Sequence, residues 1–320
     1  MGKFIIVVAI ALAASFILVA AVAGAPFPSS GAAFLASGDP LVAVSLCALC
    51  FALASFVAGM VTKDYSWVDR LWSTLPVLFA WYYAYRGGFS LPIIAAALLV
   101  TAWGARLTAN FAKKGGYAGT EDYRWSVLRG RIRNPIAWQA FNLGFISLFQ
   151  VGTFVLFTLP LRRMAMESAA PGTASLVLFA LACALMAGAV VIEGIADAQQ
   201  WKFQEAKRRF RAGERIDGKF KDDAARGFRT SGLFALSRHP NYFGELMTWM
   251  SLYLMGAALC GNGILDAFLH SSAAGILVLV ALFIGSTIFT ESITASKYPA
   301  YAEYRKRVSA IVPWFPGKRG

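Results

Sequence analysis

Apolar residues run along this chain in long blocks separated by short polar connections, and the blocks have the length of helices that cross a lipid layer. Eight candidate spans stand out, at about residues 4 to 24, 40 to 61, 69 to 85, 90 to 111, 137 to 160, 173 to 197, 241 to 260 and 273 to 291. Each approaches or exceeds the ~20 residues that a helix needs to cross ~30 Å of hydrocarbon. Between them lie Ala25-Pro26-Phe27-Pro28-Ser29-Ser30, Gly87-Gly88 and Pro171-Gly172, residues that end helices by withholding a donor or by allowing a left-handed turn. The first block is longer than the ~7 to 15 apolar residues of a cleavable signal and reads as a membrane helix. The pattern predicts an all-α fold, a polytopic integral membrane bundle of about eight transmembrane helices, with no internal repeat.

Composition supports this. Hydrophobic residues make up 58% of 320 residues and mean hydropathy is +0.58, against roughly 45–50% apolar in soluble domains. The net charge of +13 in a soluble protein would suggest nucleic acid, but no motif for nucleic acid accompanies it and the basic residues crowd into the connections. With eight spans, 26 of the 30 Lys and Arg fall on the side shared by both termini, which the positive-inside rule assigns to the cytoplasm. A bacterial inner membrane is the expected setting. Cys47, Cys50, Cys183 and Cys260 lie in apolar stretches and read as packing residues. His239 and His270 are the only histidines, far apart, so no metal site is expected. Neither a P-loop nor the Rossmann glycine pattern is present, so any nucleotide would be gripped by helices and their connections.

Ionisable groups within spans are costly and point to a bundle interior or a watery cavity. Asp69 and Arg70 open the third span, Arg106 lies near the end of the fourth, Glu193 and Asp197 near the end of the sixth, Glu245 in the first turns of the seventh, and Glu291 at the end of the eighth. All fall toward the cytoplasmic ends of their helices, which predicts one polar cavity there; structural ion pairs such as Asp69 with Arg106 are the plainer reading. Asp39, Glu167 and Asp266 lie on the other side, outside the spans. The densest polar constellation is Ser231 to Glu245. Pro240 starts a helix with Asn241, Tyr242 and Glu245 on its first turns, and Arg238 beside free backbone amides suits an anion such as phosphate.

The segment SGLFALSRHPNYFGELMTW from Ser231, with ADAQQWKF from Ala196 and ESITASKYPAYAEYRKRVSAIVPWFP from Glu291, resembles the C-terminal half of the steroid 5-alpha-reductase superfamily. DRLWSTLP from Asp69, WGARLTANF from Trp103 and EDYRWSVLRGR from Glu121 are similar to its bacterial branch, known as domain of unknown function 1295. The likeness covers residues 65–316 as one membrane domain, preceded by N-terminal helices in 1–64, together a single structural unit. It implies an NADPH-dependent reductase of a carbon–carbon double bond in a steroid-like or other lipid substrate drawn from the bilayer. It also implies cofactor contacts at Asp197, Asn241 and Glu245, with Arg238, His239, Tyr242, Glu291 and Tyr301 beside them.

Reducing an enone needs hydride at the beta carbon and an acid that stabilises the enolate oxygen. Steroid-reducing members use a glutamate and a tyrosine, and those positions fall here on Thr74 and Trp103. Asp69, Arg106 and Tyr82 are the groups nearby that could polarise a carbonyl, with Tyr83 beside them. Two other functions fit. Isoprenylcysteine carboxyl methyltransferases share an Arg-His-Pro-X-Tyr turn and a Glu followed by paired tyrosines, matched here by Tyr301 and Tyr304, which implies S-adenosylmethionine. A non-enzymatic lipid-binding or transport protein is the other. Substrate identity and oligomeric state are open.

Overall fold

The structure is a computed structural model describing residues 2–22, 35–36, 38–166, 171–260, 266 and 269–316. The turn expected at 25–30 and Glu167 fall outside them. Along the chain come α1 (Gly2–Val22), α2 (Pro40–Thr62), α3 (Trp67–Leu71), α4 (Leu75–Arg86), α5 (Leu91–Lys113), α6 (Tyr123–Arg131), α7 (Pro135–Phe141), a π-helical stretch (Asn142–Phe149), α8 (Gln150–Met166), α9 (Thr173–Arg211), α10 (Lys221–Arg226), α11 (Pro240–Cys260), α12 (Ala274–Lys297) and α13 (Tyr301–Arg307). Short 3-10 turns connect some of them. The fold is all-α, with no named strand among the described residues.

Among the described residues six helical runs are long and apolar enough to cross a membrane: Pro40–Thr62, Leu91–Lys113, Pro135–Met166, Thr173–Arg211, Pro240–Cys260 and Ser271–Lys297. The third expected span departs from the pattern. It is split into α3 and α4, because Pro76 has no N–H to bond the Trp72 carbonyl and so starts a new helix instead of continuing the old one. The 12 residues of α4 rise only about 18 Å, short of a full crossing.

Two compact units partition the chain. The first holds Met1–Cys183 and Leu252–Ile276, the second Ala184–Ser251 and Leu277–Gly320. In the first unit α1 packs on α2, and α2 on the run from α7 to α8. Asp39 caps α2 by accepting from the Leu41 amide at 2.8 Å, and Asn134 caps α7 by accepting from Ile136 and Ala137. Glycines set close approaches: a Cβ on Gly104 of α5 would lie 2.6 Å from the Ser73 carbonyl oxygen and 2.5 Å from Val77, so α5 and the start of α4 touch backbone to side chain there.

In the second unit the lower part of α9 meets the start of α11. A Cβ on Gly244 would fall 2.7 Å from the Glu193 Cβ and 3.0 Å from the Ala189 carbonyl oxygen. The chain from 227 to 239 returns from the end of α9 to the start of α11 and is fastened at both edges. Asp223 accepts from the Thr230 amide and hydroxyl and from the Ser231 hydroxyl. On the far edge a strap at 309–314 runs alongside it: Arg238 N donates to the Ser309 carbonyl at 2.9 Å, His239 N to Ala310 at 3.0 Å, and Trp314 N to Leu236 at 2.9 Å. Phe228, Tyr301, Tyr304 and Val308 form the apolar cluster beneath.

Candidate functional site

Polar side chains of the second unit form two groups. The first is built around Glu291 on α12. Its carboxylate accepts from Arg238 Nε at 2.6 Å and Nη2 at 3.1 Å and from His239 Nε2 at 3.0 Å, and forms an ion pair with Arg305 Nε at 3.1 Å. The Tyr301 phenol lies beside the same carboxylate, and burial together with that negative charge holds the phenol above its ordinary pKa. The remaining Arg238 nitrogen, Nη1, donates to the carbonyls of Arg305 and Val308. Every guanidinium nitrogen of Arg238 is thus engaged within the protein, and the group fastens α12, α13 and the start of α11 into one corner. The His239 ring stacks on Tyr242 at 5.0 Å, and Tyr242 meets Phe283 edge-on.

The second group lies along the seam of α9 and α11. Glu193 and Asp197 are one turn apart, as are Asn241 and Glu245, so each pair shares a helix face. Gly244 brings the two helices together at the level of Glu193. Glu193, Asp197 and Glu245 are buried, Asn241 half-buried. Glu245 accepts from Trp249 Nε1 at 3.0 Å. Three more polar atoms of this unit are buried without a hydrogen-bond partner: Gln200 Oε1 on α9, Thr248 Oγ1 on α11 and Thr287 Oγ1 on α12. Thr287 stands one turn from Glu291. A buried hydroxyl or amide oxygen without a partner costs about 1–3 kcal/mol, which marks these as groups with bonding capacity left over.

The sequence patterns did not single out Gln199 or Asp223. Gln199 Oε1 accepts from the Leu233 amide at 3.0 Å, under Gly232, whose φ of +68° needs glycine. Asp223 organises the other side of the loop. Nothing in a polar, charged run distinguishes such a hub from its neighbours, because apart from Arg226 its partners are a loop amide and loop hydroxyls rather than residues at helical spacing.

The remaining candidates, Asp69, Arg106 and Tyr82, belong to the first unit. Asp69 accepts from Trp125 Nε1 at 2.7 Å and lies 4.0 Å from Arg124, where an ion pair with Arg106 was the plainer expectation. Arg70 donates to the Gly116 carbonyl and pairs with Asp64, while Asp122 N donates to Ser66 Oγ and Tyr65 N to Glu121. The Asp69-Arg70 motif and the Glu121 to Trp125 motif therefore interlock, docking the loop between α5 and α6 onto α3. Tyr82 is more than three turns further on. Its hydroxyl donates to the Leu35 carbonyl at 3.1 Å and accepts from Arg86. It lines a cavity of about 210 Å³ whose other walls include Leu12, Val44, Cys47, Leu78 and Phe79, an apolar chamber with one polar edge. Trp103 is fully buried and Thr74 lies in the turn before α4.

A family described as "Protein of unknown function (DUF1295)" matches residues 55–308. An uncharacterized protein of the fission yeast Schizosaccharomyces pombe is 35% identical over 282 residues, covering 83% of this chain and 79% of its own. No solved structure matches. Among the described residues no group of His, Cys, Asp and Glu could hold a metal ion.

Proposed function

This chain belongs to the DUF1295 family, and from that premise we propose that it is an NADPH-dependent membrane reductase of a carbon–carbon double bond in a lipid substrate. The reading extends the likeness to the steroid 5-alpha-reductase superfamily, and the α9–α11 seam carries it. Three buried carboxylates and a half-buried amide there stand in the same unit as three buried oxygens that lack partners. Carboxylates accept from ribose hydroxyls, as they do in soluble dinucleotide folds, and an asparagine amide can pair with a carboxamide. Residues of this kind fit a dinucleotide better than they fit a lipid tail. NADPH supplies the hydride; the protein supplies position.

Under this proposal Asp197, Asn241 and Glu245 bind the cofactor directly. The corner of Arg238, His239, Tyr242, Glu291 and Tyr301 fixes the start of α11, so that these contacts are set before the ligand arrives. Lys and Arg of the 202–238 segment offer positive charge to a 2'-phosphate. The substrate is a lipid or steroid-like molecule, and Asp69, Arg106 and Tyr82 are the proposed donors to its carbonyl in place of Thr74 and Trp103. The setting is a bacterial inner membrane, with both termini and the 212–239 loop in the cytoplasm.

Equilibrium titration of the purified chain with NADPH and with S-adenosylmethionine tests the reading. Wild-type protein binds NADPH, Asp197→Asn and Glu245→Gln weaken that binding by roughly tenfold or more, and Asp69→Asn leaves it intact. Tight S-adenosylmethionine binding without NADPH binding would replace the reductase by a methyltransferase.

A further inference from the structure

Hydroxyls inside membrane helices ordinarily bond the carbonyl one turn back, and most in this chain do. Thr62, Thr101, Thr153, Thr158, Ser251, Thr290 and Thr294 each reach a carbonyl four residues earlier at 2.6–3.0 Å. In the first unit Ser55 on α2 and Ser147 on the π-helical stretch do not: their oxygens are buried and without a partner, as is Asn142 Oδ1. Their residues are 3%, 0% and 1% exposed.

These atoms share one place. The Tyr65 ring, just beyond the end of α2, meets the Trp138 ring edge-on at 4.9 Å, and a Cβ on Gly59 would lie 3.6 Å from Asn142 Nδ2. Moving back along α2 therefore moves forward along the partner helix, so the two run antiparallel. One turn back from Gly59 is Ser55. One π turn on from Asn142 is Ser147, because i to i+5 bonding brings residue i+5 nearly over residue i. The two serines thus come to the same depth, beside Asn142. At the outer end of the string Gln139 Nε2 donates to Tyr65 OH at 3.1 Å, and its Oε1 accepts from Asn142 at 3.2 Å. That pairing turns the unfilled acceptor of Asn142 inward. Ser55, Asn142 and Ser147 are themselves uncharged; the charge at the string's outer end is Arg129, whose guanidinium lies 5.4 Å over the Tyr65 ring. On the adjacent flank of the same stretch Phe141, Phe145 and Phe149 stack with centroids 5.0 and 5.3 Å apart, an apolar ladder running lengthwise.

We propose that this string is a binding site for the hydroxyl head of an uncharged membrane lipid, a lipid alcohol, distinct from the nucleotide seam and from the chamber beside Tyr82. A hydroxyl matches it: it donates once, to Asn142 Oδ1, and accepts from the two serines. An ether accepts but cannot donate, and a hydrocarbon does neither. In hydrocarbon no bulk solvent competes for these groups, so the hydroxyl satisfies all three together while its chain lies along the phenylalanine ladder.

The full chain, purified in detergent, is unfolded thermally with hexadecan-1-ol, with its methyl ether and with hexadecane. The alcohol raises the wild-type midpoint by about 3–5 °C at saturation, and the other two do not. Ser55→Ala/Ser147→Ala without added lipid unfolds at the wild-type temperature or above, since it removes two unpaired hydroxyls, and its alcohol shift is lost. Ser147→Ala alone retains less than half of the shift. The proposal is overturned by equal shifts from alcohol and ether, by a shift that survives in the double variant, or by a double variant that unfolds earlier. It is equally overturned by no shift in wild type, the result a buried water alone would give.

Discussion

Asp223 sits in α10, in a segment rich in Lys and Arg, yet its carboxylate is buried and accepts from three loop donors and from Arg226. Removing it strands the Thr230 and Ser231 donors, so Asp223→Ala should cost about 1–3 kcal/mol. The loss should appear as a lower unfolding midpoint and as faster proteolysis between 221 and 231. Asp122 gives a pH signature. Burial works against its charge, but the Arg124 guanidinium and amide outweigh that and hold its carboxyl below the usual range. A depressed carboxyl contributes stability that is complete above the unfolded value near ~3.9 and fades as pH falls through the lower folded value. Unfolding midpoints measured downward from pH 5 should drop less steeply in Asp122→Asn than in wild type, because the variant has no proton to take up there.

Helices in this chain meet where a side chain is missing. Gly104 faces a backbone carbonyl that cannot move aside, so Gly104→Val should destabilise by about 1–3 kcal/mol, read as a fall in midpoint, whereas the same change at Gly152, which faces open space, should leave packing intact. The apolar blocks made the helices legible, since length and hydropathy alone define a span. They did not reveal the break before α4, where one proline outweighed a continuous apolar run. The π winding at Asn142–Phe149 was equally hidden, because composition does not differ between i+4 and i+5 bonding. In the candidate site, Glu193 with Asp197 and Asn241 with Glu245 were legible from helical spacing. The mutual engagement of Arg238 and Glu291 was not: the two are 53 residues apart, and a residue type suited to phosphate is equally suited to a carboxylate of its own chain.

At the scale of the molecule, the proposed orientation makes opposite demands on two connections. An impermeant maleimide should label Arg215→Cys only when it has access to the cytoplasmic face, and Ser90→Cys only from the other; the reverse pattern would invert the topology. The native cysteines lie in helices and serve as the background control. Both units contain apolar helices, so insertion itself should tolerate damage to the polar connections. The strap at 309–314 is different, because it supplies the carbonyls that receive the amides of Arg238 and His239. A ribosome makes these residues after α13, so the helices that the strap fastens are synthesised before it. The turn that opens α11 is therefore fastened only after the helices around it exist, and a message cut short after codon 308 should yield a chain that reaches its membrane with that turn unheld.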